Sequence, residues 1–351
     1  MKKAILEHPK KMVIKEAPIP EPNDHEVLIK VAYVGMCGSD IHGFEFGPFI
    51  PPKDPNQEIG LGHELAGTVV KVGKDVKKFK VGDQVIVEPG VPDDTCEYCR
   101  TGRYNICPDV DFMATQPNYR GALTEYMTHP EEWCYPLPEG MSLMEGALVE
   151  PASVGMHAAI LGGATLGSHI VIFGGGTIGL MTLQACRSLG ATDITVVDVL
   201  QKRLDLALKL GAKAVINGKD ENAVEVLRSE ENFGDHGVDL VFECAGSAFT
   251  ANQAVQVVAR GGKIMMVGTQ SKPVPIDFLK INREVTIQTS FRYCNNYPQT
   301  IEAIATGKFN VKDMVTNVYP FEDVQKAFSE AIDPEKKANM VKGVIKIAGD
   351  E

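Results

Sequence analysis

The apolar run Ile170-Val171-Ile172-Phe173 passes directly into Gly174-Gly175-Gly176-Thr177-Ile178-Gly179. No other stretch restricts the possible folds as tightly. A short apolar run bounded by glycines reads as a buried strand, and the residues from Thr177 through Leu189 read as a helix. Asp193-Ile194-Thr195-Val196-Val197 is the next strand, and Asp198 closes it. Strand, G-x-G-x-x-G, helix, strand and acid, in that order, make a dinucleotide-binding unit. In it Gly174 makes the tight turn, Gly176 admits the pyrophosphate to the backbone, and Gly179 lets helix and strand pack closely. Thr177 and Ile178 open the helix, whose unpaired N–H groups would face the phosphates. Asp198 can accept hydrogen bonds from both ribose hydroxyls and would repel a 2′-phosphate, so the expected cofactor is NAD, not NADP. Arg203 joins these residues as a cofactor contact. A bare G-x-G-x-x-G is weak, since a methyltransferase can carry one. The flanking strands and the acid make it specific.

The same rhythm continues downstream. Lys202 to Leu210 reads as helix, Ala214-Val215-Ile216-Asn217 as strand, and Asp239 to Gly246 as a strand running into a glycine turn. A helix from Phe249 to Val258 and a strand from Gly262 to Gly268 follow, and the segment 281–293 ends the sheet. Such alternation gives a parallel, doubly wound sheet. A helix near Tyr297 to Thr306 and a terminal strand at Gly343 to Ile347 come after it. Residues 1–90 differ: they read as β, with strands at 26–34 and 67–73, another after Val81-Gly82-Asp83, and prolines marking the loops. With 351 residues there is room for two domains.

Two stretches offer metal ligands. Gly62-His63-Glu64 sets an imidazole beside a carboxylate, and Cys37 lies 26 residues earlier. Cys, His and a carboxylate suit Zn²⁺, and three protein ligands with one open position form a catalytic pattern. The alternative is a buried Cys and a satisfied core His on separate strands, and these pieces alone leave both open. Between 92 and 108, Asp93-x-x-Cys96-x-x-Cys99-x7-Cys107 has the ligand count of a structural zinc, with an Asp oxygen where a fourth sulfur is usual. The competing reading is a loop with an empty site. Eight cysteines are too sparse for a disulfide scaffold of this length, and their clustering suggests metal first.

A net charge of −11 argues against nucleic acid or an anionic membrane as partner. No apolar run reaches the length of a membrane span, and the two N-terminal lysines have no apolar run behind them as in a signal peptide. The expected location is the cytoplasm.

Taken together, the chain resembles the zinc-containing medium-chain dehydrogenases nearly end to end, and within them the sorbitol (polyol) dehydrogenase group. The resemblance rests on Gly35-Met36-Cys37-Gly38-Ser39-Asp40-Ile41-His42, Gly62-His63-Glu64, Val149-Glu150-Pro151-Ala152-Ser153-Val154-Gly155-Met156-His157 and Phe291-Arg292-Tyr293-Cys294-Asn295. It implies an α/β protein: a GroES-like, β-rich catalytic domain from 1–150 and 291–351, and a Rossmann NAD-binding domain at 151–290. The active site would lie in the cleft between them. It further implies a homo-oligomer, a tetramer before a dimer, with pairing along the strand-like 281–290. Two departures stand out. Glu150 occupies the place where the alcohol dehydrogenase branch has a second cysteine ligand, which points from simple alcohols toward polyols. Asp93 stands where the structural lobe usually has its first cysteine.

The implied reaction is a reversible, NAD-linked oxidation of a secondary hydroxyl of a sorbitol- or xylitol-type polyol to the ketose, as in an L-iditol 2-dehydrogenase. Catalytic zinc would sit on Cys37, His63 and Glu64, with Glu150 either binding the metal or holding its water. Which carboxylate is inner-sphere stays open. Ser39 would take the hydroxyl proton and His42 would pass it out. Arg292 and Tyr293 would recognise the remaining hydroxyls, and Phe112 and Thr115 would line the pocket. Oxidation of 2,3-butanediol or L-threonine is the nearest rival. A non-catalytic relative is the other, though such a chain should have lost metal ligands that this one keeps.

Overall fold

The structure is a computed structural model that describes residues 1–270 and 272–350. It divides into two compact units, one of Met1–Glu150, Tyr297–Ala305 and Val311–Glu351, the other of Pro151–Asn296 and Thr306–Asn310.

The first unit opens with a hairpin, β1 (Lys2–His8) and β2 (Lys11–Glu16), followed by β3 (Glu26–Gly35), helix α1 (Gly38–Phe46) and β4 (Glu64–Val72). Then come β5 (Gln84–Val87), β6 (Gly90–Val91), α2 (Glu97–Arg100), β7 (Asp111–Phe112), β8 (Tyr126–Pro130), β9 (Cys134–Pro136) and α3 (Leu143–Ala147). Helix α4 (Val149–Gly162) starts at the boundary between the units. In the second unit the order is β10 (His169–Phe173), α5 (Thr177–Ser188), β11 (Asp193–Asp198), α6 (Gln201–Lys209), β12 (Ala214–Asn217) and α7 (Ala223–Arg228). β13 (Val238–Glu243), α8 (Ala248–Val257), β14 (Val258–Met266) and β15 (Thr286–Thr289) complete it. The chain then returns to the first unit with α9 (Tyr297–Ala305), β16 (Val315–Pro320), α10 (Val324–Ile332), α11 (Pro334–Lys337) and β17 (Lys342–Lys346).

All six strands of the second unit run parallel, in the order β12-β11-β10-β13-β14-β15. Helices follow the strands in sequence, so this is the doubly wound sheet expected. Ile170 to Phe173 are buried, as a central parallel strand covered on both faces requires. β13 stops at Glu243 because its carboxylate turns back to accept the N–H groups of Ala245 and Gly246, each at 3.0 Å.

In the first unit a sheet runs β16-β17-β3-β4-β5-β9, with β8 also paired to β3. β3 is antiparallel to β17, β4 and β8, and Gly35 faces Val344 on one side and Glu64 on the other. Its apolar side chains Val27, Ile29 and Val31 join Leu65 and Val69 in one core, with Phe44 of α1 against Phe328 of α10. The return to this unit comes at Tyr297, not at 291 as expected. Asn296 Nδ2 donates to the Ser153 carbonyl at 2.9 Å, a contact within the second unit. The Tyr297 hydroxyl donates to the Val87 carbonyl at 3.2 Å in the first. Residues 306–310 go back to the second unit, where the Asn310 N–H donates to Gln184 Oε1 at 2.6 Å.

Glu88, 1% exposed, accepts from the hydroxyls of Tyr104 (2.7 Å) and Tyr135 (2.8 Å). Burial pushes its carboxyl up to about 7, against the lowering effect of the two hydroxyls. The unfolded chain ionises this group near pH 4.5 and the folded chain only near 7. Stability that is full below the lower value is therefore lost as pH rises through the upper one, by at most about 3 kcal/mol. Glu88→Gln keeps the tyrosine contacts and removes the charge. Urea titrations should show the parent losing stability between pH 5 and 7.5 and the variant losing measurably less; parallel curves would count against Glu88 as the cause.

Candidate active site

Two neighbouring strands bring the metal-type ligands together. Gly35 of β3 lies opposite Glu64 of β4, so Cys37, two residues beyond Gly35, and His63, one before Glu64, reach the same end of the sheet. Cys37, His63 and Glu64 each offer one ligand atom, and the three atoms lie within 4.8 Å of one another. An ion with ligand bonds of about 2.0–2.3 Å fits such a group. A thiolate, an imidazole and a carboxylate are donors zinc prefers, and His63 and Glu64 are both buried. The residues present fit a zinc ion.

Asp40 supports the group from beneath. It is buried, accepts the Gly62 N–H at 2.9 Å and lies 3.5 Å from His63 Nδ1. That leaves Nε2 as the ring's ligand atom, the usual arrangement of a carboxylate behind a metal-binding histidine. Burial alone would raise the Asp40 carboxyl, but the His63 ring and the N–H groups of Gly62 and Cys37 outweigh it and hold it low. Asp40 belongs to the motif containing Cys37 yet carries no role in the sequence reading. An acid at the third position of a helix that follows a ligand cysteine was the available signal. Lys342, which meets Glu64 from β17, left no local signal at all.

Phe112 packs on His63 with ring centroids 5.4 Å apart. Thr115 turns its hydroxyl to the Phe112 carbonyl at 3.1 Å. Ser39 stands exposed in the first turn of α1, and His42 one turn on stacks on Phe49 with centroids 3.8 Å apart. Glu150, at the start of α4, is buried in the same unit but is not one of the three clustered ligands.

Asp93, Cys96, Cys99 and Cys107 form a second group, again within 4.8 Å. Asp93 Oδ1 accepts the N–H groups of Thr95 (3.0 Å) and Cys96 (3.1 Å), and Cys99 Sγ lies 3.3 Å away. The Cys96 and Thr95 N–H groups hold the Asp93 carboxyl well below the usual carboxylate range. It is thus an anionic oxygen ligand, and this group also fits zinc.

In the second unit the glycines act as their spacing suggests. Gly174 has φ +103°, and a Cβ on Gly179 would overlap the Gly174 carbonyl oxygen. Gly176 is the N-cap of α5, so Thr177 and Ile178 present the helix's first N–H groups. Asp198 Oδ2 accepts the Gly175 N–H at 2.7 Å, Oδ1 accepts the Leu200 N–H at 2.9 Å, and the Arg203 guanidinium lies 3.6 Å from Oδ2. Arg292, at φ +51°, sits over the Phe291 ring at 4.8 Å, while Tyr293 is 3% exposed.

Residues 23–139 match the alcohol dehydrogenase GroES-like domain, and residues 177–306 match the zinc-binding dehydrogenase family. An uncharacterised zinc-type alcohol dehydrogenase-like protein of Escherichia coli is 63% identical over 99% of both chains. Sorbitol dehydrogenase of Bacillus subtilis is 41% identical over 95% of this chain and 94% of its own. A crystal structure of an E. coli oxidoreductase of unknown specificity superposes with a TM-score of 0.97, at 62% identity and 99% coverage of each chain. The two units are therefore a GroES-like domain and a Rossmann-type domain. Among the described residues no helix is long and apolar enough to cross a membrane.

Proposed function

The chain belongs to the zinc-binding alcohol dehydrogenase family and is a zinc-dependent, alcohol dehydrogenase-like enzyme, for which we propose reversible, NAD-linked oxidation of a polyol's secondary hydroxyl to the ketose. The cluster of Cys37, His63 and Glu64 carries this reading. It holds one thiolate and a carboxylate, a harder donor set than two thiolates and better suited to an oxygen-rich substrate. The 41% identity to a sorbitol dehydrogenase supports the same choice.

Zinc held there would supply the Lewis acidity that makes a hydroxyl proton acidic near neutral pH. The rest falls to the protein. Ser39 takes the hydroxyl proton, and the His42 imidazole, one helical turn on, passes it out to solvent. NAD held at the glycine turn and Asp198 would supply the hydride acceptor, so that each ketose formed would leave one NADH and one proton. Glu150 holds the substrate-side oxygen by hydrogen bonding or joins the ligand set. Arg292 and Tyr293 offer donors to further hydroxyls, and Phe112 covers one face of His63. Asp198 receives the adenosine ribose and excludes a 2′-phosphate, and the start of α5 faces the pyrophosphate. The Asp93 lobe holds a second, structural zinc, and the assembly is a homotetramer.

Metal analysis beside a cofactor-linked assay on sorbitol, xylitol, ribitol, 2,3-butanediol, L-threonine and ethanol tests the reading. Two zincs per chain and turnover of hexitols or pentitols are expected. One zinc with activity would remove the lobe from the proposal. Activity on butanediol or threonine alone would overturn the substrate class, and no zinc with no turnover after adding it back would overturn the whole.

A further inference from the structure

Lys342, the first residue of β17, has a side chain only 1% exposed. A buried lysine needs partners for its charge and its protons. Its Nζ donates to Glu64 Oε1 at 2.7 Å and to the Met36 carbonyl at 2.9 Å, and lies 2.5 Å from Glu64 Oε2. The strand order explains how it arrives there. β3 lies between β17 and β4, and the lysine must cross β3 to meet Glu64. It crosses beside Gly35, where any Cβ would overlap Glu64 Oε2. Gly343 is similarly constrained, since a Cβ there would come within 2.8 Å of Met36 Sδ. One ammonium thus grips the carboxylate of one metal-type ligand and the backbone immediately before another, Cys37.

This placement has an electrostatic consequence. Without a cation among Cys37, His63 and Glu64, Lys342 neutralises a carboxylate that would otherwise be buried alone. With a cation there, two positive centres share one carboxylate, and buried like charges repel with little screening. We propose that Lys342 is a positioning residue that shares Glu64 with the metal: it holds the metal-free site in shape and weakens the carboxylate's grip on bound zinc. A carboxylate so shared gives less charge to the ion and leaves it more electrophilic. The inference rests on the zinc reading of Cys37, His63 and Glu64.

Lys342→Met keeps most of the side-chain volume and removes the charge. The metal-free variant should melt well below the metal-free parent, while the zinc-loaded forms differ less, so that zinc raises Tm more in the variant. Zinc should also leave the variant for a chromogenic chelator about fivefold more slowly, roughly the effect of 1 kcal/mol. The phase to follow is the one absent from Cys37→Ser, which separates this site from the lobe. In cobalt-loaded protein the d–d bands should shift, and Lys342→Arg should restore both spectrum and release rate. Equal drops in Tm with and without zinc, at an unchanged release rate, would make the lysine a core ion pair only and overturn the inference. Faster zinc loss from Lys342→Met would overturn it too. Should the metal-free variant not fold, release from the zinc-loaded form still decides. If the parent itself shows no zinc that depends on Cys37, the site reading fails rather than the role of Lys342.

Discussion

Cys37→Ser should lower kcat/KM for the best polyol by at least about a thousandfold, some 4 kcal/mol of transition-state stabilisation, and leave NAD binding unchanged. A serine hydroxyl stays protonated near neutral pH, so it replaces an anionic sulfur ligand with a neutral, weak one. The variant should retain one zinc fewer per chain. The fold should tolerate the change, because Cys37 is half-exposed at the N-cap of α1, where serine is itself a favoured residue. NAD binding should survive because the glycine turn and Asp198 belong to the other compact unit. Calorimetric titration with NAD beside steady-state rates separates the two effects. Loss of both would mean that the two units do not divide the work as proposed. Full activity would remove Cys37 from the chemistry.

The parts of this protein that a reader of the sequence can see are those fixed by neighbours along the chain. The turn from Phe173 through Gly179 to Asp198 is such a part, since each glycine answers a local demand: a positive φ at Gly174, no room for a Cβ at Gly179. The Asp93, Cys96, Cys99 and Cys107 group is another, because a C-x-x-C turn and its flanks need little help from the rest of the fold. Cys37 and His63 were suggestive only. Their meeting depends on β3 and β4 pairing with Gly35 opposite Glu64, which the strands' apolar alternation allows but does not dictate. Lys342 was invisible: it sits 306 residues from Met36 in sequence, and only the strand order β17-β3-β4 sets it beside Glu64. The return point of the chain, expected at 291, lies at Tyr297 in the contact-based division for a related reason. Nothing in Phe291-Arg292-Tyr293 says which unit it packs in, and the partners of the neighbouring Asn296 and Tyr297, Ser153 and Val87, are remote in sequence.

Asp198→Ala should lower kcat/KM with NAD by about a hundredfold, raise it with NADP, and so shift the preference between them by two to three orders of magnitude. Asp198 has one proposed task, choosing the cofactor, and one that this structure shows, anchoring its loop; alanine ends both. Its carboxylate would repel a 2′-phosphate and bind the ribose hydroxyls, and hydrogen bonds to a charged group are worth about 1.5–3 kcal/mol each. It also anchors the loop itself, accepting the Gly175 and Leu200 N–H groups at 2.7 and 2.9 Å. Losing those anchors should cost affinity for both cofactors, which is why NAD is expected to lose more than NADP gains. The gain needs a cation, and Arg203 is at hand: its guanidinium lies 3.6 Å from the carboxylate and would be freed by the substitution. A guanidinium pairs well with phosphate oxygens. Asp198→Ala combined with Arg203→Ala should therefore lose the new NADP activity while keeping the weakened NAD activity. An unchanged NAD-to-NADP ratio in the single variant would take Asp198 out of cofactor choice. A double variant that still uses NADP would leave Asp198 as the discriminating residue and remove Arg203 as the phosphate's partner.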